Sequence, residues 1–326
     1  MNRSPRIKPF EATSLAALKD EPYASVLASL GYEHRSRQIP EALGVQGLAV
    51  AFGDHHEFDY EHNKAFFEKA NWQMPEIPEN QFYAQVSDWL GGLVKADQPV
   101  RIAADVSSMS RRRIADLVEA VFALPKDAHL DVDFLYTPAE FAEPEPDLDP
   151  LVISVSPVSD AFAGWWDDLD KPLHAIVGLG YEKERAASAL DVLEPRSTQI
   201  YVPEGNDPRY LDAVSTANQG LDEMPGVLPS RVHYPVVNPF ACFQGLEAAV
   251  GQLAASDRIA LIPLGPKIFA LIATITAALH PSDVQVIRVT SGLREAAHQR
   301  HSDGTVCGLT VSLRPPPEAP EQDETD

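Results

Sequence analysis

The chain has 326 residues, 44% hydrophobic and 8% aromatic, a globular composition long enough for about two domains. Its 26 Lys and Arg stand against 48 Asp and Glu, a formal charge of −22. This disfavours electrostatic attachment to long DNA or RNA but leaves room for a local pocket that holds a small anion.

The N-terminal stretch MNRSPRIKPFEATS has basic residues but neither an apolar core nor a cleavage-site pattern, so it reads as a short frayed arm rather than a signal peptide. Short apolar runs followed by turn or helix signals predict buried strands over 47–52, 100–105, 132–136, 151–155, 173–177, 198–202, 231–237, 259–263, 284–289 and 308–313. Between them, 3.6-residue periodicity predicts helices over 111–124, 182–193, 208–221, 240–255 and 268–280. The long apolar run over 259–279 is broken by Pro263, Gly265, Pro266 and Lys267, which divides it into a strand and a buried helix rather than a membrane span. Strands alternating with helices predict mostly parallel sheets covered on both faces. Cys242 and Cys307 are the only cysteines, too few for a disulfide framework or a paired zinc motif, so a reducing, cytoplasmic setting is expected.

The strand, turn and helix beginning RIAADVSSMSRRRIAD at Arg101 align without a gap onto RIALIPLGPKIFALIA at Arg258. Upstream of each copy stands a shared motif, Gly31-Tyr32-Glu33 with Arg35 behind it and Gly180-Tyr181-Glu182 with Arg185 behind it; downstream of each come two strands. This order predicts an α/β protein of two duplicated Rossmann-like units, over 1–160 and 170–314, with a disordered acidic tail over 315–326. The acidic, proline-rich stretch 138–150 then lies inside the first unit between its last two strands, matching the loop over 291–305. The junction falls near 159–171, where Trp165 and Trp166 could pack the units together.

In open α/β sheets ligands bind beyond the carboxyl ends of the strands, and the repeated turns sit there. Gly265 permits close backbone approach and Lys267 adds a compact cation; Asp105, Ser107, Ser108 and Arg111 form the counterpart turn. Both suit a phosphate, and a capped helix with an exposed basic first turn is the competing reading. Glu33 with Arg35, and Glu182 with Arg185, suit ribose hydroxyls or base edges as well as they suit plain ion pairs. The run 178–180 opens like a dinucleotide fingerprint but lacks the third glycine, so NAD or FAD is not expected, and no cofactor is. His55, His56, Asp59 and His62 form the densest polar cluster. If it is helical, His55, Asp59 and His62 share a face as an acid–base or metal set, although no established metal spacing is present and no resident metal is expected.

The residues from Ile262 to Lys267, with the apolar helix and the strand 284–289 that follow, resemble the strand, glycine-lysine turn and helix of the CRISPR-associated Rossmann-fold (CARF) family and its relatives in antiphage defence. Pro266 stands where that family commonly has a small polar residue. The resemblance implies sensing of a cyclic oligonucleotide or other nucleotide second messenger in a cleft between two Rossmann-like units; some standalone members degrade the messenger. No fused nuclease effector is recognisable, so the leading expectation is a nucleotide sensor acting through a protein partner. The alternatives are a nucleotide phosphodiesterase or nucleoside hydrolase using His55 to His62, and an assembly protein with no ligand.

Overall fold

A computed structural model describes residues 5–53, 56–95, 98–144, 154–164, 170–182, 184–290 and 297–315. In chain order the first half holds β1 (Arg6–Ser14), β2 (Ser25–Leu30), α1 (Gln38–Leu43), β3 (Gly47–Ala51), α2 (Tyr60–Lys69), α3 (Phe82–Leu93), β4 (Val100–Asp105), α4 (Arg111–Phe122) and β5 (Leu130–Tyr136). The second holds β6 (Ser154–Pro157), β7 (Leu173–Gly178), α5 (Arg185–Leu193), β8 (Ser197–Glu204), α6 (Arg209–Ala217), β9 (Val227–Pro235), α7 (Pro239–Leu253), β10 (Arg258–Pro263), α8 (Lys267–Leu279), β11 (Val284–Thr290) and β12 (Thr305–Leu313).

These strands form two six-stranded sheets, ordered β1-β12-β5-β4-β2-β3 and β6-β11-β10-β7-β8-β9. The pairs β5-β4-β2-β3 and β11-β10-β7-β8-β9 are parallel, and antiparallel strands close one edge of each sheet. Thus the fold is two Rossmann-like units. The internal repeat is visible in strand register: Leu27 faces Ala104 in the first sheet and Ile176 faces Leu261 in the second. Those pairs are related by the same shifts that superpose Gly31 on Gly180 and Arg101 on Arg258.

Alternate strand residues go to different cores, as a period of two requires. On β2, Val26 and Ala28 join an outer core with Phe67 of α2, while Leu27 joins the central one. The outer core of the second sheet is closed by Leu190 of α5 and Val214 of α6. The central core lies between the sheets and is built from α3, α4, α7 and α8, with α4 packed directly on α8. Ten residues of α8, Ile268 through Ala277, are buried, which is why that helix carries no polar face.

Three expectations are corrected. The N-terminal arm is strand β1, hydrogen-bonded to β12 from Arg6 opposite Ser312 to Ser14 opposite Thr305. Its mostly exposed pattern hides it from a search for buried strands. The last strand of each unit also crosses over: β6 pairs antiparallel with β11, and β12 pairs antiparallel with β5. The unit boundaries therefore run through exchanged strands rather than at 160–170 alone. The predicted helix over 182–193 begins at Arg185, after Glu184 in the left-handed region at φ 62°. Trp165, Trp166, residues 145–153, 291–296 and the tail from 316 lie outside the described residues.

Candidate functional site

The exchange brings two connections together above the carboxyl ends of the strands. After β5, residues 137–144 run beside residues 297–304 before β12, with Glu140 N donating to His301 O and Asp303 N to Pro138 O. Beneath them lies the Gly31-Tyr32-Glu33 turn. Asn63 of α2 holds it by donating to Gly31 O at 2.8 Å and Glu33 O at 2.9 Å, and Ser36 Oγ accepts from Gly31 N while donating to Ser29 O. Asn218 repeats the device in the second unit, donating to Gly180 O at 2.8 Å. Nothing in the local spacing marked these two asparagines; a buried Asn that follows each copy of the motif is the signal that identifies them.

Glu33 is 8% exposed and receives a cation on each carboxylate oxygen. Arg35 Nε donates to Oε2 at 2.5 Å, and Lys267 Nζ, from the first turn of α8 in the other unit, stands 3.6 Å from Oε1. Burial alone would raise the Glu33 pKa, but Arg35 and Lys267, helped by Arg300, outweigh it and hold the carboxyl below its ordinary value. Lys267 is lowered to about 8, first by burial and then by repulsion from Arg35 and Arg111, with Glu33 opposing. Arg35 also donates to Thr137 O at 3.0 Å and lies 5.7 Å from the Tyr136 ring centroid.

Asp105, at the carboxyl end of β4, is 1% exposed. Its Oδ1 accepts from Ser107 N at 2.9 Å, whereas Oδ2 is buried with no hydrogen-bond partner among the described residues. Burial raises its pKa to about 6, against the pull of Ser107, Arg35 and Lys267. Arg300 Nη2 donates to Tyr181 Oη at 3.0 Å, and the Tyr181 ring stacks on Tyr210, with centroids 6.1 Å apart. Three cations, one firm anion, an acid that titrates near neutrality and a pair of aromatic rings thus meet at one place in a protein of charge −22.

Not every anticipated residue is available there. Arg111 crosses to the other unit, where Nε donates to Pro263 O at 2.5 Å and Nη2 donates to Leu264 O and Gly265 O, which makes it a staple on the opposite turn. Ser108 Oγ donates to Ser36 Oγ at 3.1 Å, and Ser107 Oγ accepts from Thr137 N. Lys267 and Ser108 therefore both end on the Glu33–Ser36 turn. Gly265 lies so close to the second copy of the motif that a Cβ would sit 2.1 Å from Leu179 O. Glu182 is half-buried and folds over Gly180, and Arg185 opens α5.

Of the expected helical face, Asp59 and His62 do not lie on one helix. Helix α2 begins at Tyr60, so Asp59 precedes it and meets the exposed His62 at 3.3 Å, while His56 stacks on Tyr60. His55 lies outside the described residues, and no group of three potential metal ligands occurs among those described. Nor is any helix there long and apolar enough to cross a membrane.

No family model and no curated protein matches the chain. Among solved structures it is similar to the cytoplasmic domain of a prokaryotic cation chloride cotransporter, at 11% identity over 84% of this chain and 98% of that one, with a TM-score of 0.24. It is also similar to phosphoethanolamine N-methyltransferase 1 of Haemonchus contortus, at 9% identity over 91% and 90%, with a TM-score of 0.22. Likeness at this level carries no argument about activity.

Proposed function

We propose that this chain binds a small anionic nucleotide at the junction of its two Rossmann-like units and passes the occupancy to a protein partner. The observation that carries the reading is the meeting of Glu33 and Arg35 of one unit with Lys267 of the other beneath Arg300. In that arrangement the ligand phosphate competes with the Glu33 carboxylate for Lys267 and Arg35, and a base stacks against Tyr181 and Tyr210. Because Lys267 belongs to one unit and Glu33 to the other, replacing their contact alters how the units are held. The resemblance of residues 262–267 to the CARF turn favours a cyclic oligonucleotide as ligand. The hydrolase alternative on the histidine cluster is the weaker reading, because its described histidines, His56 and His62, are exposed, although Asp59 is partly buried and accepts from Gln299 Nε2 beside Arg300.

Thermal shift with mononucleotides and cyclic oligonucleotides tests the proposal. A stabilisation by at least one of them that disappears in Lys267→Ala is expected. The proposal fails if no member of the panel shifts the melting temperature, or if Lys267→Ala responds as the parent does.

A further inference from the structure

We propose that the first unit carries a second binding site, for an uncharged, hydroxyl-rich ligand of the saccharide class. It is independent of the nucleotide reading. A surface pocket of about 590 Å³, lined in part by the exposed Gln46, Asn71, Gln73 and Asp88, lies against Ser25 and Gly47, the first residues of β2 and β3, at the opposite end of the sheet from Glu33. Its size falls within the ordinary range of small-molecule sites.

The lining is chemically selective. Gln85, Asp88 and Trp89 project from one face of α3, and Gln46, Asn71 and Gln73 face them from the segments flanking β3. Among the described residues, none of these side chains has a hydrogen-bond or ionic partner. Four carboxamides each offer a donor and an acceptor, the pattern that vicinal hydroxyls satisfy, and the Asp88 carboxylate accepts two more hydroxyl protons. Trp89 supplies an apolar surface for the C–H face of a sugar ring, and no second aromatic lines the cavity to sandwich a planar base. No Lys, Arg or His lines it either, so Asp88 and the overall negative charge disfavour phosphate or carboxylate ligands.

Two lining residues carry a local backbone cost. Asn71 sits in the left-handed region at φ 63°, and Gly92 lies within helix α3, where a glycine is less stable than alanine. A Cβ at Gly92 would touch nothing within 4 Å, so packing does not require the glycine, whereas a larger side chain there would project into the mouth.

The test is titration of the full chain with glucose, maltotriose, cellotriose and chitotriose, followed by saturation-transfer NMR, with adenosine as a comparison. At least one saccharide is expected to bind. Its affinity should fall by about tenfold or more in Asp88→Ala and in Gly92→Leu, the scale of one or two lost hydrogen bonds, with melting temperatures near the parent value. Binding should persist in Lys267→Ala, which separates this site from the nucleotide site. Failure of every saccharide to bind, binding of adenosine alone, or saccharide binding that survives Gly92→Leu would overturn the proposal.

Discussion

Arg111→Ala removes the guanidinium that joins the turn of the second unit to α4 of the first. Three carbonyls, those of Pro263, Leu264 and Gly265, lose a charged donor, and the first two belong to buried residues. A net hydrogen bond to a charged group contributes about 1.5–3 kcal/mol, and an orphaned buried carbonyl costs about 1–3 kcal/mol. Part of that gross loss is recovered when water enters the half-exposed site, which leaves an expected destabilisation of about 2–4 kcal/mol. For a chain of 326 residues the melting temperature should then fall by roughly 3–6 °C. Arg111→Lys keeps the charge but not the fork of donors and should recover about half of the loss. Differential scanning calorimetry of the parent and both variants reads this directly. A melting temperature unchanged in Arg111→Ala, together with weakened nucleotide binding, would show that the residue serves the ligand and is no staple.

Asp105 has its pKa raised to about 6 in the fold, so folding favours the protonated acid: the contribution of this one group to stability should rise as pH falls from 7 towards 4, by on the order of 3 kcal/mol, as the difference between the parent and a variant lacking it. Asp105→Asn should abolish that increment in pH-resolved denaturant melts. Nucleotide affinity should fall as pH rises through about 6, where Asp105 becomes anionic, and again through about 8, where Lys267 loses its proton. Lys267→Arg should remove only the upper step in a calorimetric pH series. Asn63→Ala leaves the carbonyls of Gly31 and Glu33 without their donor inside a fully buried site and should cost about 2–3 kcal/mol in urea unfolding. His62→Ala, on a side chain 77% exposed, should stay within about 0.5 kcal/mol of the parent in the same assay.

The repeated order of apolar strands and helices was legible in the sequence because it is written in local periodicity, and the shifts that align the two copies are those that relate the parallel ladders. The exchange of β6 and β12 was not legible. Local pattern does not name a strand's partner, whether in the four residues of β6 or the nine of β12; that is decided by contacts across the whole chain, such as Cys307 opposite Tyr136. Strand β1 escaped because only one residue in about three turns inward, too few for an alternation signal. At the site, Glu33, Arg35, Asp105 and Lys267 were recognisable from their turns at the ends of strands. Arg300 was not, because it lies in the long connection over 291–305, whose course depends on which sheet receives β12. The destination of Arg111 was equally hidden, since a basic first turn of a helix looks the same whether it faces a ligand or the carbonyls of a neighbouring unit.

Isothermal titration of the full chain with the cyclic oligonucleotide or mononucleotide that gives the largest thermal shift, performed on the parent and on Lys267→Met, tests the junction site most directly. One ligand per chain, bound by the parent and weakened by about tenfold or more in the variant, is the result that a site shared by Glu33, Arg35 and Lys267 within a single chain predicts. Equal affinity in the two proteins, or one ligand per two chains, would contradict it.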